Sequence, residues 1–166
     1  NATPIDDVEA KVQAIWAASG LWPNAMVINR LVFRNLRNCD QIIERINSEG
    51  AGSASKPSDV TLRMLSAVFD IPRIHVAGGV KNLADEGQEV DIANIWSSEY
   101  CWIGRTATSN DIREPCVGRT FHWAGDGSMP NGLVESYRDE TVRSDIVRVR
   151  HDVHEKTLHT PAGGLL

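Results

Sequence analysis

The residues of this chain best suited to ligating a metal are His151-x-x-His154-Glu155, with Asp152 between the histidines and His159 close behind. A zinc hydrolase of the His-Glu-x-x-His kind needs two histidines four apart on one helical face, with the glutamate between them. Here the histidines are three apart, the glutamate follows them, and the surrounding residues read as a strand. On a strand His151 points with Val153 and His154 with Asp152, so the imidazoles diverge. Polar strand-end residues near an interface are the expectation, and a metal-dependent hydrolase using His151 and His154 is the least supported alternative.

Phosphate chemistry would need a glycine-rich loop after a strand, with Gly-Lys-Ser/Thr opening a helix. Gly50, Ala51, Gly52, Ser53, Ala54 and Ser55 have the small residues, but Lys56 is followed by Pro57. Residues 47–57 are therefore expected to be a mobile surface loop. There is no Gly-x-Ser-x-Gly elbow, and Cys39, Cys101 and Cys116 stand far apart without a Cys-x-x-Cys pair. That favours neither a disulfide framework nor a reactive thiol, and it suits a reducing compartment. Asp6-Asp7 fall at a helix start and Asp139-Glu140 beside basic residues, where dipole matching or solvation accounts for them. No catalytic residue, cofactor or metal ligand is expected, so the chain does not read as an enzyme.

The elements that would carry these groups follow from periodicity. A chain of 166 residues is long enough for one domain with a real core, or for one domain plus an appended sheet. Thr3 and Pro4 open a helix that places Val8, Val12, Ile15 and Trp16 on one face before Gly20 stops it. Ala25–Ile28 reads as a buried strand, Asn29 as the cap of a second helix, and Ile42, Ile43 and Ile46 as the apolar side of a third. Ser58 and Asp59 start a helix lined by Leu62, Leu65, Val68 and Phe69. Arg73–Ala77 and Tyr100–Ile103 are further strands, with a polar loop and a short turn over 91–96 between them. Beyond that the pattern is mostly β, with strands at Val117–Trp123, Leu133–Tyr137 and Asp145–Val153. The five tryptophans, Trp16, Trp22, Trp96, Trp102 and Trp123, are assigned to core and interface packing. The chain begins at Asn1 and ends at Gly163-Gly164-Leu165-Leu166, where an apolar strand is starting, and it reads as a fragment or processed product.

The net charge of −5 opposes general nucleic-acid binding, and no apolar stretch approaches a membrane span. The densest charge lies at Arg138, Asp139, Glu140, Arg143, Asp145, Arg148 and Arg150, interleaved with Val147, Val149 and Val153. That composition suits gripping an identical neighbour. Val147, Val149 and Val153 are expected on a packed face, with Arg148 and Arg150 turned towards other subunits.

Three stretches resemble the major capsid proteins of tailed bacteriophages. Trp22-Pro23-Asn24-Ala25-Met26-Val27-Ile28, Val32-Phe33 and Leu36, then Ile42, Arg45 and Ile46, resemble a P-N-x-hydrophobic run, V-F-x-x-L and I-x-x-R-I signature. Val76-Ala77-Gly78-Gly79 through Asn82-Leu83-Ala84-Asp85-Glu86-Gly87, then Ile95-Trp96, resemble V-G-x-x-x-N-T-A-x-E-G and I-W, with Leu83 replacing threonine. Tyr137-Arg138-Asp139-Glu140, Asp145 to Arg150, Glu155-Lys156 and Ala162-Gly163 resemble the family's C-terminal segment.

The resemblance implies an α+β fold, a mixed sheet flanked by helices with an appended antiparallel β segment, as a fragment of the capsid-type shell fold shared with encapsulins. Residues 1–113 would be an axial-domain-like core, 114–156 peripheral strands, and 157–166 a strand returning to the core. The implied function is a structural subunit of a phage or prophage capsid, located in the virion and in the host cytoplasm during assembly. Its partners would be copies of itself in pentamers and hexamers, scaffold or decoration proteins, and packaged DNA by weak inner-face contact, with no membrane. The loop Gly50–Ser55 would face the capsomer axis, and the seven charged residues from Arg138 to Arg150 would meet neighbouring subunits. Pairing of those charges within their own sheet is the plainer alternative, and an encapsulin-like nanocompartment shell is the alternative of function.

Overall fold

In a computed structural model of the chain, residues 2–48, 59–125, 129 and 132–166 are described. The chain forms two compact units, one running up to Val117 and resumed at His159–Leu166, the other Gly118–Leu158.

The first unit is built around β1 (Ala25–Asn29), whose residues are buried or nearly so along its whole length. β2 (Arg73–Ala77) lies parallel on one edge of it and β5 (Trp102–Gly104) antiparallel on the other, with β10 (Gly163–Leu165) beyond β5. A parallel pair needs a long crossover, which α2 (Arg30–Leu36), α3 (Asp40–Ser48) and α4 (Leu62–Phe69) supply. Met26 and Ile28 of β1 join Ile42 and Ile46 of α3, Leu65, Val68 and Phe69 of α4, Ile71 and Ile103 in one apolar cluster. Ile5, Val8, Val12 and Ile15 of α1 (Pro4–Ser19) complete it.

The local signals account for most boundaries. Asn29 caps α2, its Oδ1 accepting from the Leu31 N–H at 2.8 Å. Gly20 ends α1 in the left-handed region at φ 70°, where a side chain is disfavoured. Gly104 faces Gly163 across β5 and β10. A Cβ at 104 would stand 2.6 Å from the Trp102 ring and 3.1 Å from the Gly163 Cα, so glycine is what lets these strands approach.

Several expectations are corrected. Thr3 makes no side-chain cap; the α1 terminus is held by Gln41, whose Oε1 accepts from the Ile5 N–H at 3.0 Å while its Nε2 donates to Asp6 at 3.0 Å. Trp16 is not core. It is 54% exposed and meets Trp22 edge to face at 6.5 Å. α4 starts at Leu62, with Thr61 Oγ1 accepting from the Met64 N–H, and Asp70 at φ 51° ends it. Leu62 itself lies at the rim, 39% exposed. In place of the loop and turn expected after Gly79 there is a short hairpin, β3 (Val80–Asn82) with β4 (Ile92–Asn94).

The second unit is an antiparallel ribbon. β6 (Gly118–His122) pairs with β9 (Val153–Thr157), and β7 (Leu133–Asp139) with β8 (Ser144–Arg150). The strand expected to run unbroken from Asp145 to Val153 is interrupted at 151–152.

Both ends of β1 are fixed by buried asparagines. Asn24 Oδ1 accepts from the Thr106 N–H at 2.7 Å and from its hydroxyl at 3.0 Å, and Nδ2 donates to the Thr106 carbonyl at 2.9 Å. Asn24→Ala strips these groups of their partner inside the protein. Urea denaturation should show a loss of about 1–3 kcal/mol; an unchanged midpoint would contradict this anchoring role.

Candidate functional site

Alternation along the ribbon sorts the charged residues onto two faces. Leu133, Glu135 and Tyr137 share one with Arg150, Arg148 and Ile146, while Val134, Ser136 and Arg138 share the other with Val149, Val147 and Asp145. On the first face Glu135 joins two arginines: its Oε2 accepts from Arg148 Nε at 2.8 Å and from Arg148 Nη2, and its Oε1 from Arg150 Nη2 at 3.3 Å. Hydrogen bonding to Glu135, and then its charge, raise the pKa of Arg148. At the tip Arg138 donates to Glu140 at 2.7 Å and to Asp145 at 3.3 Å. Asp139 accepts from the Thr141 N–H at 2.8 Å, and that contact holds its carboxyl below the usual range. Arg143 takes the left-handed backbone of the hairpin turn at φ 49°.

Arg138, Asp139, Glu140, Asp145, Arg148 and Arg150 thus meet partners on their own ribbon, and Val134, Val147 and Val149 do not. Val134 is 68% exposed and Val147 and Val149 are 67% exposed. This corrects the packed face expected for the valines: they lie bare, and Val153 is exposed as well. The valine face is open: among the described residues of this unit, no second layer covers it, whereas Leu133, Glu135, Ile146 and Arg150 on the other face are half-buried.

His151 and His154 are separated, His154 lying on β9 opposite Phe121 and His151 beyond the end of β8 with its ring 6.3 Å from that of His122. Among the described residues, no group of three or more His, Cys, Asp or Glu side chains is placed to hold a metal. The loop residues Gly50, Ala51, Gly52, Ser53, Ala54 and Ser55 lie outside the described residues.

Strongly shifted groups are natural candidates for chemistry, and two in the first unit are shifted for structural reasons. Glu114 accepts from the N–H and hydroxyl of Thr108 at 2.9 and 2.7 Å and from those of Ser109 at 2.8 and 2.7 Å. These bonds, the Thr108 hydroxyl foremost, bring its pKa down to about 2. All four hold the carboxylate as an anion that closes the 108–114 loop, so it is no proton donor at neutral pH. Burial pushes the Cys101 thiol up to about 12, which leaves it a protonated, unreactive side chain.

Sequence reasoning missed one feature. Arg30, Arg34 and Arg37 fall at i, i+4 and i+7 of one helical stripe and line a groove of about 720 Å³ beside α2. Their spacing was the available signal.

No protein-family model and no curated protein matches the chain. Among solved structures it is similar to a phage-related protein from Bordetella bronchiseptica RB50, with 26% identity and a TM-score of 0.76. The match covers 99% of this chain and 50% of that one, so the chain spans about half the length of its structural relative.

Two outcomes test these assignments. The folded pKa of Glu114 lies below its ordinary 4.5, so its contribution to stability is complete above about pH 4.5 and is lost as the pH falls towards 2. Glu114→Gln should lower the unfolding midpoint at pH 7 and remove that part of the acid slope; parallel pH curves for the two proteins would refute the staple. Glu135→Gln should speed amide exchange in β7 and β8 about two- to five-fold and hardly move global unfolding. Unaltered exchange there would show that the three-residue cluster does not hold the ribbon.

Proposed function

We propose that the chain is a structural subunit of a phage or prophage capsid, and that its ribbon is completed by other copies of the shell protein. The observation carrying this reading is the bare apolar face of Val134, Val147 and Val149 on a two-stranded ribbon. An isolated two-stranded ribbon is marginal in water unless a third layer or strand covers it. Burying each valine contributes about 1–2 kcal/mol, which recurs at every equivalent contact of a closed assembly.

The similarity to a phage-related protein supports this reading. So does the α+β architecture, with one unit holding a packed core and the other extending as strands. In this reading Arg138, Asp139, Glu140, Arg143, Asp145, Arg148 and Arg150 set the register between subunits. Their partners within the ribbon keep the surface near neutral, so identical copies approach without net repulsion. Exposed pairs of this kind are weak singly, and misplaced subunits leave while a closed shell persists.

The complete gene product, expressed alone or with its neighbouring phage genes, should form closed particles by electron microscopy. Val147→Lys with Val149→Lys should leave the circular dichroism spectrum intact and reduce particles at least tenfold. Arg148→Glu with Arg150→Glu should do the same. A wild-type product that stays monomeric under all of these conditions would sink the shell reading, and abundant particles from both variants would sink the ribbon's role in it.

A further inference from the structure

The groove beside α2 joins a basic edge to an apolar wall. Arg30, Arg34 and Arg37 form the edge; Leu31, Phe33, Leu62, Val76 and Val80 supply the wall. Leu31 is 50% exposed and Val80 56%. Arg37 stacks over the Phe33 ring at 5.4 Å, which fixes that end of the edge. Arg30 and Arg34 have no carboxylate partner among the described residues.

The complementary surface is on the same unit. The loop joining β3 and β4 carries Asp85, Glu86, Glu89 and Asp91, and Asn82 to Gly104 contains five acids and no lysine or arginine. The loop is preorganised. Asn82 Oδ1 accepts from the N–H groups of Ala84 and Asp91 at 3.1 and 2.9 Å, and the Leu83 N–H donates to the Asp91 carbonyl at 2.8 Å. Val90 and Leu83 stand 65% and 54% exposed among the acids.

We infer that the α2 groove receives the acidic β3–β4 loop of a second copy of this chain. The base of the hairpin, at Val80 and Asn94, borders its own groove, while the acids sit at the opposite end of the hairpin and make no ion pair with Arg30 or Arg34 of the same chain. The contact therefore runs from loop to groove between copies. It is head to tail, the class of interface that closes into rings. An apolar wall against Val90 and Leu83, flanked by opposite charges, favours this occupant over a nucleic-acid backbone, which offers no such side chain to the wall. The inference rests on the shell-forming reading above and names one of its contacts.

The test uses the complete gene product with reversed charges. Arg30→Glu with Arg34→Glu should cut particle yield at least tenfold, as should Glu86→Lys with Glu89→Lys. The chain carrying all four changes should recover it. As a second measure, Arg34→Cys with Glu89→Cys should form disulfide-linked oligomers under oxidation that the wild type, with its own three cysteines, does not. Particles at wild-type yield from either reversed pair, or no recovery in the combined chain and no cross-linked ladder, would overturn the contact while leaving the shell reading standing. A wild type that never assembles would remove both. Loss confined to the arginine variant, together with lost binding to a DNA duplex, would assign the groove to nucleic acid instead.

Discussion

The first unit depends on one constraint: β1 is hydrogen-bonded along both edges and buried along its length. A strand in that position must satisfy every polar group at its ends without water. Asn24 and Asn29 do so, the first by binding Thr106, the second by capping α2 and donating to the Trp96 carbonyl at 2.6 Å. Each asparagine thus ties the central strand to a segment more than sixty residues away. α2 leaves β1 at a fixed angle for the same reason, and its arginine stripe is presented at the surface as a result.

The ribbon is organised in the opposite way. Its Glu135 and Arg138 clusters pair charges across neighbouring strand positions while its valines lie exposed, whereas in the first unit the apolar side chains converge on a core. An exposed apolar row of this kind lowers solubility unless something covers it. Charge pairs on the ribbon lessen that tendency without covering the valines. The two units thus differ in where their apolar side chains lie: converged on a core in the first, exposed along the strands in the second.

Much of the first unit was legible in the sequence because its signals are local. Asn29 before an apolar helix, Gly20 after one, and the run Ala25–Ile28 each specify their structure over a few residues. The errors arose where the deciding partner is remote. Gln41 displaces Thr3 as the anchor of α1 from thirty-six residues away. Trp16 continues the spacing of Val12 and Ile15 but meets Trp22 outside the core. β3 and β4 are three residues each, too short for any periodicity to show. Alternation correctly separated Val147 and Val149 from Arg148 and Arg150, but it carries no information on whether a second layer exists. The charged run was recognised as a surface; its Glu135 hub was not, because cross-strand neighbours depend on a register that the sequence leaves open.

That register has a consequence of its own. The ladders β6–β9 and β7–β8 are separate, divided at 151–152 on one strand, so each is aligned by its own register. A one-residue slip in either ladder turns over only that ladder's own side chains. The Glu135–Arg148 face therefore keeps the order of its charges as long as β7 and β8 keep their own alignment, whatever the alignment of β6 with β9.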